Sequence, residues 1–246
     1  MSNGETTVRI TKETHARLQS LGGKGETFES IVAGLLDRSR PRKVVNSGGR
    51  DFHRKRILRQ ELTAKVGSVD TVYAPFIGDG RLVYDLYRER HLYGTEADWK
   101  LVNEARALIP YAVIEEGRAE AFDLMDEGPF DVADFDARMN PYPAFKAFWN
   151  DSKKADTMLL VFSDGLRGGI IQSGNLIRPS GTKKRIADHV ERATIYGLYF
   201  EKVIVPWFTK FIKPYEVVDK LVYMQGTMCY WGAVIEKAET LGGDSE

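Results

Sequence analysis

From Val69 onward the chain alternates short, mostly apolar runs with segments of helical periodicity. That is the pattern of a largely parallel sheet covered by helices, an α/β fold. Strands are expected at Val69–Ala74, His91–Thr95, Ala112–Glu116, Phe130–Phe135 and Thr157–Ser163, the last almost wholly apolar and so central. Helices are expected over Arg81–Glu89, over Asp98–Leu108, and over Thr182–Ile212 with a break near Pro206. Tyr215–Tyr223 and Met228–Glu236, joined through Gln225-Gly226-Thr227, read as two more strands. A seven-stranded sheet ending in a hairpin, with its last strand antiparallel, is the result. Ser163 to Gly181, with Gly165, Gly168, Gly169 and Gly174, reads as a loop, either a plain surface loop or a lid.

Charge separates the remaining quarter from this body. The 246 residues carry 35 basic and 35 acidic side chains. Residues 1–66 hold fourteen Lys/Arg against seven Asp/Glu, and the other 180 hold 21 against 28. A basic module for a polyanion fits this split, and so does a solvated basic face. No run approaches the ~18 apolar residues of a membrane helix, and Met-Ser-Asn-Gly-Glu offers no signal region, so no membrane partner and a cytoplasmic location are expected. The lone cysteine, Cys229, reads as a buried small hydrophobe. His15, His53, His91 and His189 share no ligand spacing, and no metal site is expected.

Within the basic quarter, residues 6–11 alternate polar and apolar like a strand, with Val8 and Ile10 on one side and Thr7, Arg9 and Thr11 on the other. Thr11 can cap a helix that carries Leu18 and Leu21 and stops at Gly22-Gly23. Thr27 can cap a second, with Phe28, Ile31, Val32, Leu35 and Leu36 on one face. Forty residues cannot close a core alone, and a dimer with paired strands would. The run Thr6 to Thr14, the turn Gly23 to Thr27, and the pairs Ile31-Val32 and Leu35-Leu36 resemble the ribbon-helix-helix family of DNA-binding proteins. The resemblance implies a homodimer whose Thr7, Arg9 and Thr11 read bases in the major groove. Arg9 would be able to grip guanine, and the helix start at Thr27 would meet a phosphate. A dimerisation arm without DNA contact is the alternative. This module is set at 1–40, a Pro/Gly/Ser/charge-rich linker at 41–50, and the body at 51–246. The body opens with a helix, Asp51 to Lys65, with Phe52, Ile57, Leu58 and Leu62 inward. Its other face carries Arg50, Arg54, Lys55, Arg56 and Arg59, to be solvated or to track phosphates.

In an open α/β sheet the chemistry sits at the carboxyl ends of the strands. The first such turn is Pro75-Phe76-Ile77-Gly78-Asp79-Gly80. Its glycines let a ligand approach, and the following helix offers amides. Glu96 ends the second strand, where dinucleotide-type folds keep the acid that bonds ribose hydroxyls. Glu120 lies beyond the third strand and Asp136 ends the fourth. With Tyr93 to Asp98, Glu120 to Asp123 and Asp134 to Ala144, this series resembles the Rossmann-like class I methyltransferases that use S-adenosylmethionine, over about residues 50–237. Asp134-Phe135-Asp136-Ala137-Arg138-Met139-Asn140-Pro141-Tyr142-Pro143 is similar to the corresponding segment of tRNA guanine-N2 methyltransferases and of amino-methylating DNA enzymes. Ala137 and Arg138 stand where those families have prolines.

The resemblance implies S-adenosylmethionine as cofactor, held by Pro75, Phe76, Gly78, Gly80, Glu96 and Glu120. Asp136, with Asn140 beside it, would face the target amine, and Tyr142 would stack on the base. A nucleic-acid methyltransferase is the implied activity, with DNA favoured by the N-terminal module and RNA by the Asp-x-Asp segment. A DNA-binding regulator built on an inactive or cofactor-sensing methyltransferase fold stays open beside it.

Overall fold

The computed structural model describes residues 49–238 other than residue 180. The expected ribbon-helix-helix module, with Thr7, Arg9, Thr11 and Thr27, lies outside the described residues, as does most of the linker. The chain divides into two units between Gly49 and Arg50, and the sheet and its covering helices belong to the second.

The elements are α1 (Gly49–Thr63), β1 (Thr71–Pro75), α2 (Arg81–Tyr87), β2 (His91–Glu96), α3 (Trp99–Leu108), β3 (Val113–Glu116), β4 (Phe130–Phe135), α4 (Tyr142–Asp151) and β5 (Lys154–Asp164). Then come α5 (Leu166–Ser173), β6 (Asn175–Ile177), β7 (Lys183–Arg185), α6 (His189–Tyr199), α7 (Val205–Phe211), β8 (Tyr215–Gln225) and β9 (Met228–Lys237). The seven-stranded sheet runs β3-β2-β1-β4-β5-β9-β8. The first five strands are parallel, while β9 pairs antiparallel with both β5 and β8. This is the fold of class I methyltransferases, with the expected terminal hairpin.

Period-two alternation explains why both faces are covered. Tyr73, Ala133, Phe135, Leu160, Phe162 and Trp231 point into an aromatic core with α4, α6 and α7. Val72, Ala74, Val132, Leu159, Val161 and Val234 point the other way, onto Leu58 and Leu62 of α1, Val83 of α2 and Val102 of α3. In β4 the same alternation sends Asp134, and beyond it Asp136, to the α1 face.

Three expectations change. Ser163 to Gly181 is no open loop: Leu166 and Ile170, both buried, seat α5 on the core, and β6 comes next. The helix expected from Thr182 starts only at His189, because Lys183–Arg185 pair with β6 and Asp188 caps α6 by accepting from the amides of Val190 and Glu191. Ahead of Pro206 the chain widens into a π turn, Phe200–Ile204, which absorbs the missing N–H. Finally, the basic face of α1 is not wholly solvated, since three of its five cations turn to carboxylates of the body. Lys55, Arg56 and Arg59 pair with Asp136, Asp85 and Asp134.

Candidate active site

The sheet order reverses between β1 and β4, so the loops leaving these strands diverge and open a crevice at their carboxyl ends. After Pro75 the backbone takes φ 64° at Phe76, 59° at Gly78 and 80° at Gly80. Gly80 needs its missing side chain, since a Cβ there would lie 3.2 Å from Ala105 and Ile109. The coil is tied to β2 by Ile77 N donating to Thr95 O at 3.0 Å and by Gly78 N donating to Glu96 Oε2 at 3.1 Å. Glu96 Oε1 accepts from Ala97 N at 2.8 Å and Asp98 N at 3.1 Å. Three amides thus fix this carboxylate, yet Oε2 takes only one of them and keeps a lone pair for a ligand hydroxyl.

Beside Glu96 opens a cavity of about 560 Å³, lined by Phe76, Thr95, Gly117, Arg118, Ala119, Glu120 and Pro143 among others. It falls in the size range of small-molecule sites. Its far wall, the turn Ala119–Ala121, is pinned by Tyr73 Oη donating to Ala119 O at 3.2 Å. Thr95 Oγ1 is buried in the wall and makes no well-formed hydrogen bond. Of the residues expected to hold a cofactor, Phe76, Glu96 and Glu120 line this cavity; Gly78 supports Glu96 from behind, Pro75 is buried in β1, and Gly80 packs against α3. Arg118, exposed in the same wall, carried no sequence signal beyond its place after β3.

At the end of β4, Asp136 is partly buried. Lys55 Nζ donates to its Oδ1 at 2.6 Å and its Oδ2 at 2.9 Å, and Ser163 Oγ donates to Oδ1. Ser163 arrives there by register, because Phe135 pairs with Phe162. Burial opposes ionisation of Asp136, but the Arg59 and Lys55 cations and the two side-chain hydrogen bonds outweigh it, and its carboxyl sits below the ordinary range. One step back, Asp134 is gripped by Arg59 and receives the Tyr87 hydroxyl at 3.2 Å. The two pairs match because Lys55 and Arg59 stand one helical turn apart, about 6 Å, as do Asp134 and Asp136 along the strand.

Tyr142 does not face the crevice as a stacking ring but turns into the core. Its ring is buried in the aromatic core and its hydroxyl donates to Asp164 Oδ2 at 2.6 Å, so in this geometry it offers no surface to a base. The apolar Phe145 and Phe148 on the same helix face carry it inward. Asn140 Oδ1 accepts from Tyr142 N at 3.1 Å and closes the turn into α4. Asp164 also receives the Tyr196 hydroxyl at 2.7 Å and the Leu166 amide at 2.7 Å. Burial outweighs these bonds and pushes its carboxyl up to about 6. The loop between β4 and α4 is held down at Gly165, whose amide donates to Met139 O at 2.7 Å. A Cβ there would lie 2.1 Å from Arg138 O, a requirement that sequence reading did not single out.

Cys229, buried in β9, has its thiol pushed up by burial, as suits a packing residue. Among the described residues, no helix is long and apolar enough to cross a membrane, and no group of His, Cys, Asp and Glu is placed to hold a metal ion.

No protein-family profile and no curated protein sequence matches the chain. Solved structures do. The plantazolicin methyltransferase BpumL, in complex with S-adenosylhomocysteine, superposes with a TM-score of 0.50 at 12% identity, over 92% of this chain and 96% of that one. The N-methyltransferase NodS from Bradyrhizobium japonicum, also with S-adenosylhomocysteine, gives 0.50 and 12% over 84% and 98%. The likeness is one of fold.

Proposed function

We propose that this chain is an S-adenosylmethionine-dependent methyltransferase acting on an exocyclic nitrogen of a nucleic-acid base, with DNA as the favoured substrate. One observation carries the cofactor reading. Glu96, fixed by three amides with a lone pair to spare, stands in a cavity at the switch point of a class I methyltransferase sheet. The structural neighbours were crystallised with the demethylated cofactor, which supports it. The residues present fit the group: Glu96 for the ribose hydroxyls, Phe76, Ala119 and Ala121 as apolar walls for the purine, and Glu120 beside it.

When bound, S-adenosylmethionine supplies an activated methyl group, so the protein's work is chiefly positioning. β1 and β4 run parallel and side by side, so β1 leads into Phe76 of the cavity wall and β4 into Asp136 at the same end of the sheet. Among the described residues its Oδ2 accepts from Lys55 only, and it can take one N–H of a target amine, orienting the nitrogen lone pair. Asn140 shapes the adjoining turn. A base in a duplex would have to be extruded to arrive there.

The basic N-terminal quarter and the Asp134–Pro143 segment support a nucleic-acid substrate. In this reading residues 1–40 form a dimer that docks on DNA through Thr7, Arg9 and Thr11, with Thr27 at a phosphate. Transfer of radiolabelled methyl from S-adenosylmethionine into duplex DNA and into unmodified tRNA tests the proposal. Label in DNA supports it, and label in tRNA alone moves the substrate to RNA. A chain that binds no S-adenosylmethionine in calorimetric titration would be the DNA-binding regulator instead.

A further inference from the structure

We infer that the small β6–β7 ribbon is a phosphate-binding edge of the active site, gripping the backbone of a nucleic acid whose target base enters the crevice. This rests on the nucleic-acid reading above. Residues 174–187 contain four basic side chains, Arg178, Lys183, Lys184 and Arg185, and no acid. All four are exposed, and among the described residues none of them forms an ion pair. The nearest acids in sequence are Asp188, whose carboxylate caps α6, and Glu191.

The ribbon is anchored, so its charges are presented at a defined place. Leu176 and Ile186 are buried in the aromatic core, Ile186 N donates to Gly174 O at 2.8 Å, and the Tyr199 hydroxyl donates to Ile177 O at 2.7 Å. Lys146 Nζ donates to Pro179 O at 2.6 Å and ties the ribbon's turn to α4. Pro143, which lines the cavity, lies three residues before Lys146, and residues so spaced are neighbours on a helix surface. The ribbon's turn is therefore tied to the helix whose first turn forms part of the cavity wall. Arg138, exposed in the loop after β4, extends the basic surface at the same end of the sheet.

A cluster of unpaired cations beside a catalytic crevice attracts a polyanion. An anionic membrane would want apolar side chains among them. The exposed residues of the ribbon include none that is large and apolar.

The test compares the full-length chain with its Lys183→Gln/Lys184→Gln/Arg185→Gln variant, by anisotropy at several salt concentrations. The probes are a 30-mer DNA duplex and an unmodified tRNA transcript, with phosphatidylserine vesicles as a third arm. On the duplex each lost phosphate contact reduces the slope of log affinity against log salt by about 0.9, so a reduction between about 0.9 and 2.7 is expected. Affinity for S-adenosylmethionine should stay as in the wild type, which also reports that the variant is folded. An unchanged slope on both nucleic acids overturns the inference, and so does a loss confined to vesicles. If the slope falls although the wild type methylates neither probe, the ribbon surface stands and the substrate reading fails. If the wild type methylates a probe and the slope is unchanged, the ribbon inference alone fails.

Discussion

Arg59 and Asp134 face each other side-on, Nε and Nη2 each 2.6 Å from a different carboxylate oxygen, with both side chains shut away from solvent. Burial opposes a charged guanidinium, and the carboxylates of Asp134 and Asp136 more than compensate, raising the Arg59 pKa. The lead-in helix is thereby joined to the carboxyl end of β4 by charge as well as by Leu58 and Leu62.

Breaking that pair from one side leaves a buried charge without its counter-ion. Arg59→Met should cost about 3–5 kcal/mol of stability, and Asp134→Ala a similar amount. Urea denaturation of the single variants and of the double variant checks this. The double variant should lose less than the two singles together, because neither charge is then stranded.

Glu96→Ala should raise the dissociation constant for S-adenosylmethionine ten- to a hundredfold. That corresponds to about 1–3 kcal/mol for ligand hydroxyls left unpaired, at about 1.4 kcal/mol per decade. Calorimetric titration gives the number directly. An unchanged constant would remove Glu96 from the cofactor site.

Asp136→Asn should leave that affinity nearly unchanged and depress turnover, as expected of an interaction realised mainly in the transition state. Lys55→Met separates positioning from folding. Without the ammonium, the Asp136 carboxyl loses one of the charges that hold it below the ordinary range, and its pKa rises. The acid limb of the pH–rate profile should then move to higher pH, and Lys55→Arg should restore it.

Asp164 imposes the opposite dependence on stability. Its carboxyl titrates near 3.8 in the unfolded chain and about 6 when folded, so between these values the folded state binds more protons. Stability contributed at this position is therefore present below pH ~4 and declines as pH rises toward ~6, by on the order of 3 kcal/mol. Denaturation of wild type and Asp164→Asn across pH 4–7 should show that decline in the difference between the two curves.

Gly165→Ala should destabilise by about 1–3 kcal/mol, because the new methyl meets the Arg138 carbonyl and the loop carrying Asn140 must move. Turnover should fall with it. Thermal denaturation together with a rate measurement tests both parts.

What the sequence determined by itself is the part governed by local pattern. Short apolar runs set between segments of helical periodicity mark the seven strands of the sheet and most of the helices. The acid ending β2 is legible because strand ends in such a sheet converge on one edge. The tertiary structure alone decided what depends on distant segments meeting. Nothing near Lys55 or Arg59 indicates that they turn toward Asp136 and Asp134, some eighty residues away in sequence; β4 pleating and the pitch of α1 bring them into register. Tyr142 looks available to a base until Phe145 and Phe148 draw its helix face into the core. Lys183–Arg185 read as helix because three residues carry little strand signal of their own. Pairing with Asn175–Ile177 settles their state, since the backbone groups of a segment leaving the core must find partners, and β6 supplies them.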